Sequence, residues 1–134
     1  MGGVLVYHCC KKAGFSLPTR YPSGSCRFAG VYAWLEWARL DDVNYFHSID
    51  ENSFMPERGD IVIYEKLITD ESNDHIGIML SCDDNNMLVA EGNKDSKNQS
   101  GVIRRSRYDK ILGFIRIDNN YQNKFTGVYD PKLD

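Results

Sequence analysis

The pattern of apolar and polar positions begins with a helical period. Residues 3–13, GVLVYHCCKKA, form a predicted helix that ends before Gly14, because glycine readily takes the left-handed conformation that follows a last helical turn. Two lysines in that last turn suit the negative end of the helix dipole. The apolar side of this helix is expected to contain the following residues: Val4, Leu5, His8 and Cys9.

A second helix is predicted after a loop rich in proline and glycine over residues 15–25. Ser23 or Ser25 can cap a helix over residues 26–40, CRFAGVYAWLEWARL. Its apolar residues recur at positions i, i+3, i+4 and i+7, which is typical of a helix with one buried side. These residues are Val31, Trp34, Leu35 and Ala38.

Beyond a polar stretch over residues 41–58, the period becomes that of strands. Short apolar segments alternate with polar turns, and such short connections favour an antiparallel sheet or a small barrel. The sequence therefore predicts an α+β domain over residues 1–118, with N-terminal helices packed on an antiparallel sheet of about five strands. Residues 119–134 are polar and aperiodic and are expected to form a tail or a linker. The predicted strands are 60–64, 75–80, 87–93, 102–108 and 111–117.

Composition narrows the classes of function. A chain of 134 residues with 42% hydrophobic residues can form one domain with a core, and a net charge of −3 argues against nucleic acid as a partner. Arg104, Arg105 and Arg107 favour a solvated strand edge over a basic patch. No apolar run approaches the roughly 20 residues that cross a bilayer. The first residues do not form a signal peptide, so we expect the chain to stay where it is made or its export segment to lie outside it.

Three polar residues at strand ends are candidates for chemistry. His75 begins one predicted strand, and Glu91 and Asn93 end the next. If these strands form a hairpin about residues 82–86, an even register places the three side chains on one face, whereas an odd register turns His75 to the other face. In the even register, a carboxylate or carboxamide would orient the imidazole as a general base requires.

An ordered series of motifs carries a family resemblance. In sequence order, they are K-K-A-G-F, S-G-S-C, P-x-x-G-D-I-V-I-Y, D-H-I-G-I-M, L-V-A-E-G-N and I-L-G-F-I-R. Together they resemble the CHAP family, the cysteine, histidine-dependent amidohydrolases/peptidases, and more broadly the NlpC-type papain-like peptidases. The resemblance extends over about residues 2–117, and it depends on the order of the motifs more than on any single one.

The resemblance implies a papain-like α+β fold, cleavage of peptidoglycan amide bonds, and neither a cofactor nor a metal. It implies that His75 is the general base and that Glu91, with Asn93, is its polar partner. Gly59 and Asp60 match the turn into the family's first strand, a structural role. The family's proteins are typically secreted, associated with the cell wall, or associated with phage. A peptidoglycan or another peptide substrate is the implied partner.

The cysteines do not match the nucleophile of that family. Its cysteine lies at the start of the first helix, where the dipole and free N–H groups stabilise a thiolate, and this position falls on Gly2. Cys9 matches a later, non-nucleophilic cysteine and lies ~10 Å down the helix, with Cys10 beside it. Cys26 could substitute if the second helix begins opposite His75, and Cys82 belongs to the distant hairpin turn. No C-x-x-C spacing predicts a zinc site.

Three interpretations follow from the glycine at this position. The chain is a shortened or altered form of an amidase or endopeptidase domain whose natural form carries the cysteine, so that this form lacks its nucleophile. Alternatively, it is a degenerate domain that binds a cell-wall peptide or another peptide without cleaving it. The third is a structural domain of a phage or mobile element that does neither.

Overall fold

Helices precede strands in the chain, and the computed structural model describes residues 2–14, 31–41, 43–65, 75–94 and 99–120. Within these residues two helices accompany one antiparallel sheet of six strands, in the order β1-β6-β2-β3-β4-β5. The predicted α+β class is therefore confirmed. The elements are α1 (Gly2–Lys12), α2 (Val31–Ala38), β1 (Phe46–Ser48), β2 (Ile61–Tyr64), β3 (His75–Cys82), β4 (Asn86–Lys94), β5 (Gln99–Ser106) and β6 (Ile111–Ile115).

The sheet has one strand more than the sequence predicted. Strand β1, Phe46–Ser48, lies within the stretch that was predicted to be polar and without strands, and it pairs with β6 at the edge of the sheet. Three residues are too few to show the alternation by which a strand is recognised. Its pairing with β6 is a tertiary contact that the local pattern does not contain.

Helix α1 ends as predicted but buries a different side. Gly14 has a φ of 97°, and the amide of Ala13 donates to the carbonyl of Cys9 at 3.0 Å, which closes the last turn. Val6 and Cys10 are buried, whereas His8 and Cys9 are exposed, so the predicted apolar side was wrong. Leu5 is half-buried, and the side chain of Val4 lies outside the described residues.

The reason for this error is that α1 carries two competing sets of apolar residues. Each set contains residues four positions apart, so the helical period alone does not choose between them. The packing partners decide: Val6 and Cys10 share a core cluster with tryptophans of α2 and isoleucines of the sheet, and α1 packs mainly against β3 and β4. A tertiary contact thus fixed the rotation of the helix about its axis.

Helix α2 buries the predicted stripe. Trp34, Leu35 and Ala38 are buried and Val31 is half-buried. Trp37 is buried as well, and its ring packs edge-on against Trp34, with centroids 5.9 Å apart. Residues 15–30 lie outside the described chain, so the predicted caps and Cys26 are not placed.

The two faces of the sheet contain different sets of side chains. One face, the helix-covered face, contributes isoleucines to the core cluster that includes Val6 of α1 and Trp34 of α2. Because side chains alternate along a strand, the neighbouring residues form a second cluster on the opposite face. The isoleucines are Ile61, Ile63, Ile76 and Ile115; the second cluster contains Val62, Tyr64, Met79, Met87, Val89, Ile111 and Phe114.

The register of β2, β3 and β4 places His75 on the opposite face. Tyr64, the last residue of β2, pairs directly with His75, the first residue of β3. Along the next pair, Ile78 lies opposite Ala90 and Met79 opposite Val89. The two residue numbers of each pair add up to 168, which is the even register. In this register the side chains of His75 and Glu91 project from the same face.

The turn before β2 is tied to the end of β6. Gly59 has a φ of 95°, which suits glycine, and the buried carboxylate of Asp60 accepts from the amide of Glu57 at 2.7 Å. Arg116 donates to both oxygens of Asp60, at 2.9 and 2.8 Å. Gly59 and Asp60 therefore have the structural role that the family resemblance implied.

The predicted boundary at residue 118 lies shortly after β6, and residues 118–120 are exposed. Residues 121–134, most of the predicted tail, lie outside the described chain. Neither described helix has the length and apolar character to cross a membrane.

Gly77 lies where β3 and β4 pack too closely for a side chain. A Cβ atom at Gly77 would lie 2.5 Å from a methyl carbon of Val89 and 3.0 Å from Cγ of Glu91. We therefore expect Gly77→Ala to lower the free energy of unfolding by ~1–3 kcal/mol, measured by urea denaturation. Ser81→Ala, at an exposed position of the same strand, is the control. Equal stability of both variants would contradict the close packing.

Candidate active site

A buried histidine and a buried glutamate meet on the opposite face of the sheet. Nε2 of His75 lies 2.6 Å from Oε1 of Glu91, and the two residues are 4% and 1% exposed. Each comes from a regular strand whose neighbours fix its direction, so the pair is held by backbone pairing and not by loops. The structure therefore brings together two of the three residues predicted for the site.

The charge of Glu91 determines which nitrogen of His75 carries the proton. Burial raises the pKa of Glu91, but hydrogen bonds from His75 and Arg105 outweigh it and lower the pKa below its ordinary value. An ionised carboxylate can only accept hydrogen bonds, so Nε2 of His75 is the donor. In the neutral imidazole, Nδ1 then carries the lone pair and can accept a proton from another group.

Arg105 completes the group around Glu91. Its Nε donates to Oε2 at 3.0 Å and its Nη2 donates to Oε1 at 2.7 Å, a two-pronged contact with the carboxylate. The hydrogen bond with Glu91 raises the pKa of Arg105, so the guanidinium stays charged. Oε1 thus receives hydrogen bonds from both His75 and Arg105.

Sequence reasoning missed this role of Arg105. The expectation for Arg104, Arg105 and Arg107 was a solvated strand edge, and Arg104 does lie exposed. Arg105 instead projects to the opposite face, because its partner across the sheet is Met87, which belongs to the cluster there. The signal that could have found it is the β4–β5 register, which the chain alone does not specify.

Tyr64 is the fourth side chain of the group. Its ring centroid lies 5.7 Å from that of His75, and Cζ of Arg105 lies 5.7 Å from the tyrosine ring centroid. The residue is fully buried, and its hydroxyl has no hydrogen-bond partner among the described residues. Burial, and then the charge of Glu91, raise the pKa of Tyr64, so the hydroxyl keeps its proton.

Asn93, the third predicted site residue, lies in strand β4 two positions beyond Glu91. Its side chain lies outside the described part of the structure, so its role as a partner of His75 stays a prediction.

Cys10 and Cys82 lie away from His75. Cys10 lines a cleft of about 650 Å³ together with Gly59 and Asp60, at the start of β2, whereas His75 pairs with the end of that strand. Four strand residues separate the two ends, ~13 Å. Burial, with Cys9 nearby, also raises the pKa of the Cys10 thiol to about 12. Cys82 ends β3, seven residues or ~23 Å from His75.

Neither Cys10 nor Cys82 therefore has the position of a nucleophile beside His75. Gly2 is the first residue of α1, the position at which the family resemblance places the nucleophile.

Within the described residues no group of three metal-ligating side chains comes together. Comparison with family models, curated proteins and solved structures finds no match to the chain.

Removing the charge of Glu91 is expected to destabilise the fold. Glu91→Gln keeps the shape of the side chain but leaves Arg105 without its anionic partner in a buried position. We expect the free energy of unfolding to fall by about 2–4 kcal/mol in urea denaturation. Glu57→Gln, whose side chain is 69% exposed, is the matched control and should change little. If the free energy of unfolding falls equally for Glu91→Gln and Glu57→Gln, the buried charge of Glu91 stabilises the fold no more than an exposed carboxylate does.

The lowered pKa of Glu91 also predicts a dependence of stability on pH. Its carboxylate stabilises the fold above its ordinary pKa of 4.5, and this contribution is lost as the pH falls through the lower value of the folded state. Between about pH 5 and pH 3, the free energy of unfolding should therefore fall more steeply for the unsubstituted protein than for Glu91→Gln. Parallel curves would show that Glu91 has the same pKa in the folded and unfolded chains.

Proposed function

We propose that this domain carries the base half of a cysteine amidohydrolase site of the CHAP type, with peptidoglycan amides as the substrate class. The single observation that carries the proposal is the contact of 2.6 Å between His75 and Glu91. The D-H-I-G-I-M and L-V-A-E-G-N motifs led to this pair, and the two residues lie on adjacent strands in the even register that a shared site needs.

The tautomer of His75 supports the same function. Glu91 accepts from Nε2, so Nδ1 is the nitrogen that can take a proton from a thiol. In a papain-like reaction this transfer creates the thiolate, whose sulfur attacks the carbonyl carbon of the amide. His75 then returns the proton to the leaving amine, and water hydrolyses the thioester to complete the cycle.

A papain-like fold is part of the proposal. Its support is the helix that begins at Gly2, followed by the antiparallel sheet whose third strand begins with His75. Helix α1 packs against the helix-covered face and His75 projects from the other. The proposal therefore requires that a thiol at position 2 reach the imidazole around the edge of the sheet where β3 begins, since His75 is the first residue of that strand.

A second candidate function is binding without cleavage, and one observation favours it. Glycine at the start of α1 has no nucleophilic atom, while Glu91 is held by Arg105 as well as by His75. Such a domain would retain the cleft of a papain-like enzyme and recognise a cell-wall peptide there.

Restoring a thiol at position 2 tests the proposal. We expect Gly2→Cys to release soluble muropeptides from purified peptidoglycan in a turbidity and chromatography assay, and the unsubstituted chain to release none. Adding His75→Ala to Gly2→Cys should lower the rate by ~100-fold or more, because the general base is lost. Adding His8→Ala, at an exposed position of α1, is the control and should leave the rate unchanged.

The outcomes separate the two functions. Release of muropeptides that depends on His75 supports the hydrolase. Retention of both proteins on peptidoglycan in a pull-down, with no release even by Gly2→Cys, supports the binding domain. If the proteins are not retained and release no muropeptides, both functions are contradicted, and the structural domain remains as the interpretation.

A further inference from the structure

The hydroxyl of Tyr64 is the buried polar atom that the group around Glu91 leaves unsatisfied. Each oxygen of Glu91 accepts at least one hydrogen bond, and Nε2 of His75 donates one. The Tyr64 hydroxyl, buried on a residue with 0% exposure, is unpartnered within the described chain. A buried hydroxyl without a partner destabilises a fold, so its retention beside a histidine requires an explanation.

The position of this hydroxyl suits a group that meets a ligand. Tyr64 and His75 face each other across β2 and β3, and their side chains project from the same face. The high pKa of the phenol keeps it protonated at neutral pH, so it is a neutral donor, and its ring centroid lies 5.7 Å from that of His75. A carbonyl oxygen beside His75 would therefore find a donor there.

We propose that Tyr64 is a substrate-binding residue, whose hydroxyl donates a hydrogen bond to an amide carbonyl oxygen of a peptide bound beside His75. This inference rests on the proposed function, since it takes peptidoglycan peptide as the ligand. It adds to that function the group that recognises the carbonyl, which neither the motifs nor the family resemblance assigned.

The proposal requires a side chain to move, because the hydroxyl of Tyr64 is buried. Among the ion-paired side chains of this group, that of Arg105 is 25% exposed, whereas those of His75 and Glu91 are 5% and 1% exposed. Its Cζ lies 5.7 Å from the centroid of the Tyr64 ring, and a shift of this long side chain on the ring is the movement that the proposal invokes. The more exposed side chain is thus the one that has to move, and the backbone of the sheet can remain in place.

Tyr64→Phe tests this proposal because it removes the hydroxyl and keeps the ring. The matched control is Tyr108→Phe, at a residue that is 64% exposed. Two quantities are measured for each protein: the Tm, and the Kd for a soluble muropeptide by isothermal titration calorimetry. We expect Tyr64→Phe to bind the muropeptide about threefold to tenfold more weakly than the unsubstituted protein, which is the effect of one hydrogen bond. Its Tm should be unchanged or higher, and Tyr108→Phe should match the unsubstituted protein in both.

Two results would overturn the proposal and leave the proposed function intact. If Tyr64→Phe binds the muropeptide as tightly as the unsubstituted protein, the hydroxyl does not contact the ligand. If its Tm falls by several degrees, the hydroxyl has a partner in the free protein, such as a bound water, and is not held for a ligand. If the unsubstituted protein does not bind the muropeptide at all, the proposed function fails, and the identity of the ligand inferred here fails with it.

Discussion

The carboxylate of Glu91 is the group on which the candidate site depends. It is 1% exposed and receives hydrogen bonds from His75 and Arg105, which come from the strands on either side of its own. Burial of an unpaired carboxylate would be strongly unfavourable, so the two donors are what allow it to remain ionised there. Because these donors lie on β3 and β5, a single buried charge links three neighbouring strands and fixes the tautomer of the histidine.

This arrangement is possible because the core side chains that pack on the helices and the polar side chains of the candidate site lie on different faces of the sheet. Alternation along β2 and β3 sends isoleucines to the helix-covered face, where α1 and α2 form the core with them. The intervening residues, Tyr64 and His75, project from the opposite face. Gly77 follows His75 on that face, and its missing side chain leaves room for Glu91 and Val89. Helix packing can therefore stabilise the strands without occupying the space that the polar group needs.

The sequence was informative where a local pattern determines the structure. The strand period and a short hairpin turn restricted the position opposite His75 to a few residues, and the even register among these is the one observed. The same reasoning failed where a distant contact decides. Packing against the sheet and α2 sets the buried side of α1, the partner β6 defines β1, and the register of β5 directs Arg105 to the opposite face. The same hairpin argument predicted Asn93 as a site residue, and its role as a partner of His75 stays a prediction.

The base and the nucleophile of the proposed site depend on different parts of the chain. His75 and Glu91 are held by strand pairing and by Arg105, and no hydrogen bond to a cysteine contributes to their geometry within the described residues. A nucleophile would come from the start of α1, which packs against other side chains on the other face. Glycine at position 2 is therefore compatible with the fold and with the pair of His75 and Glu91. Under the proposed function, a change at one helix terminus would abolish cleavage, and Arg105 would still give Glu91 a structural reason to be retained.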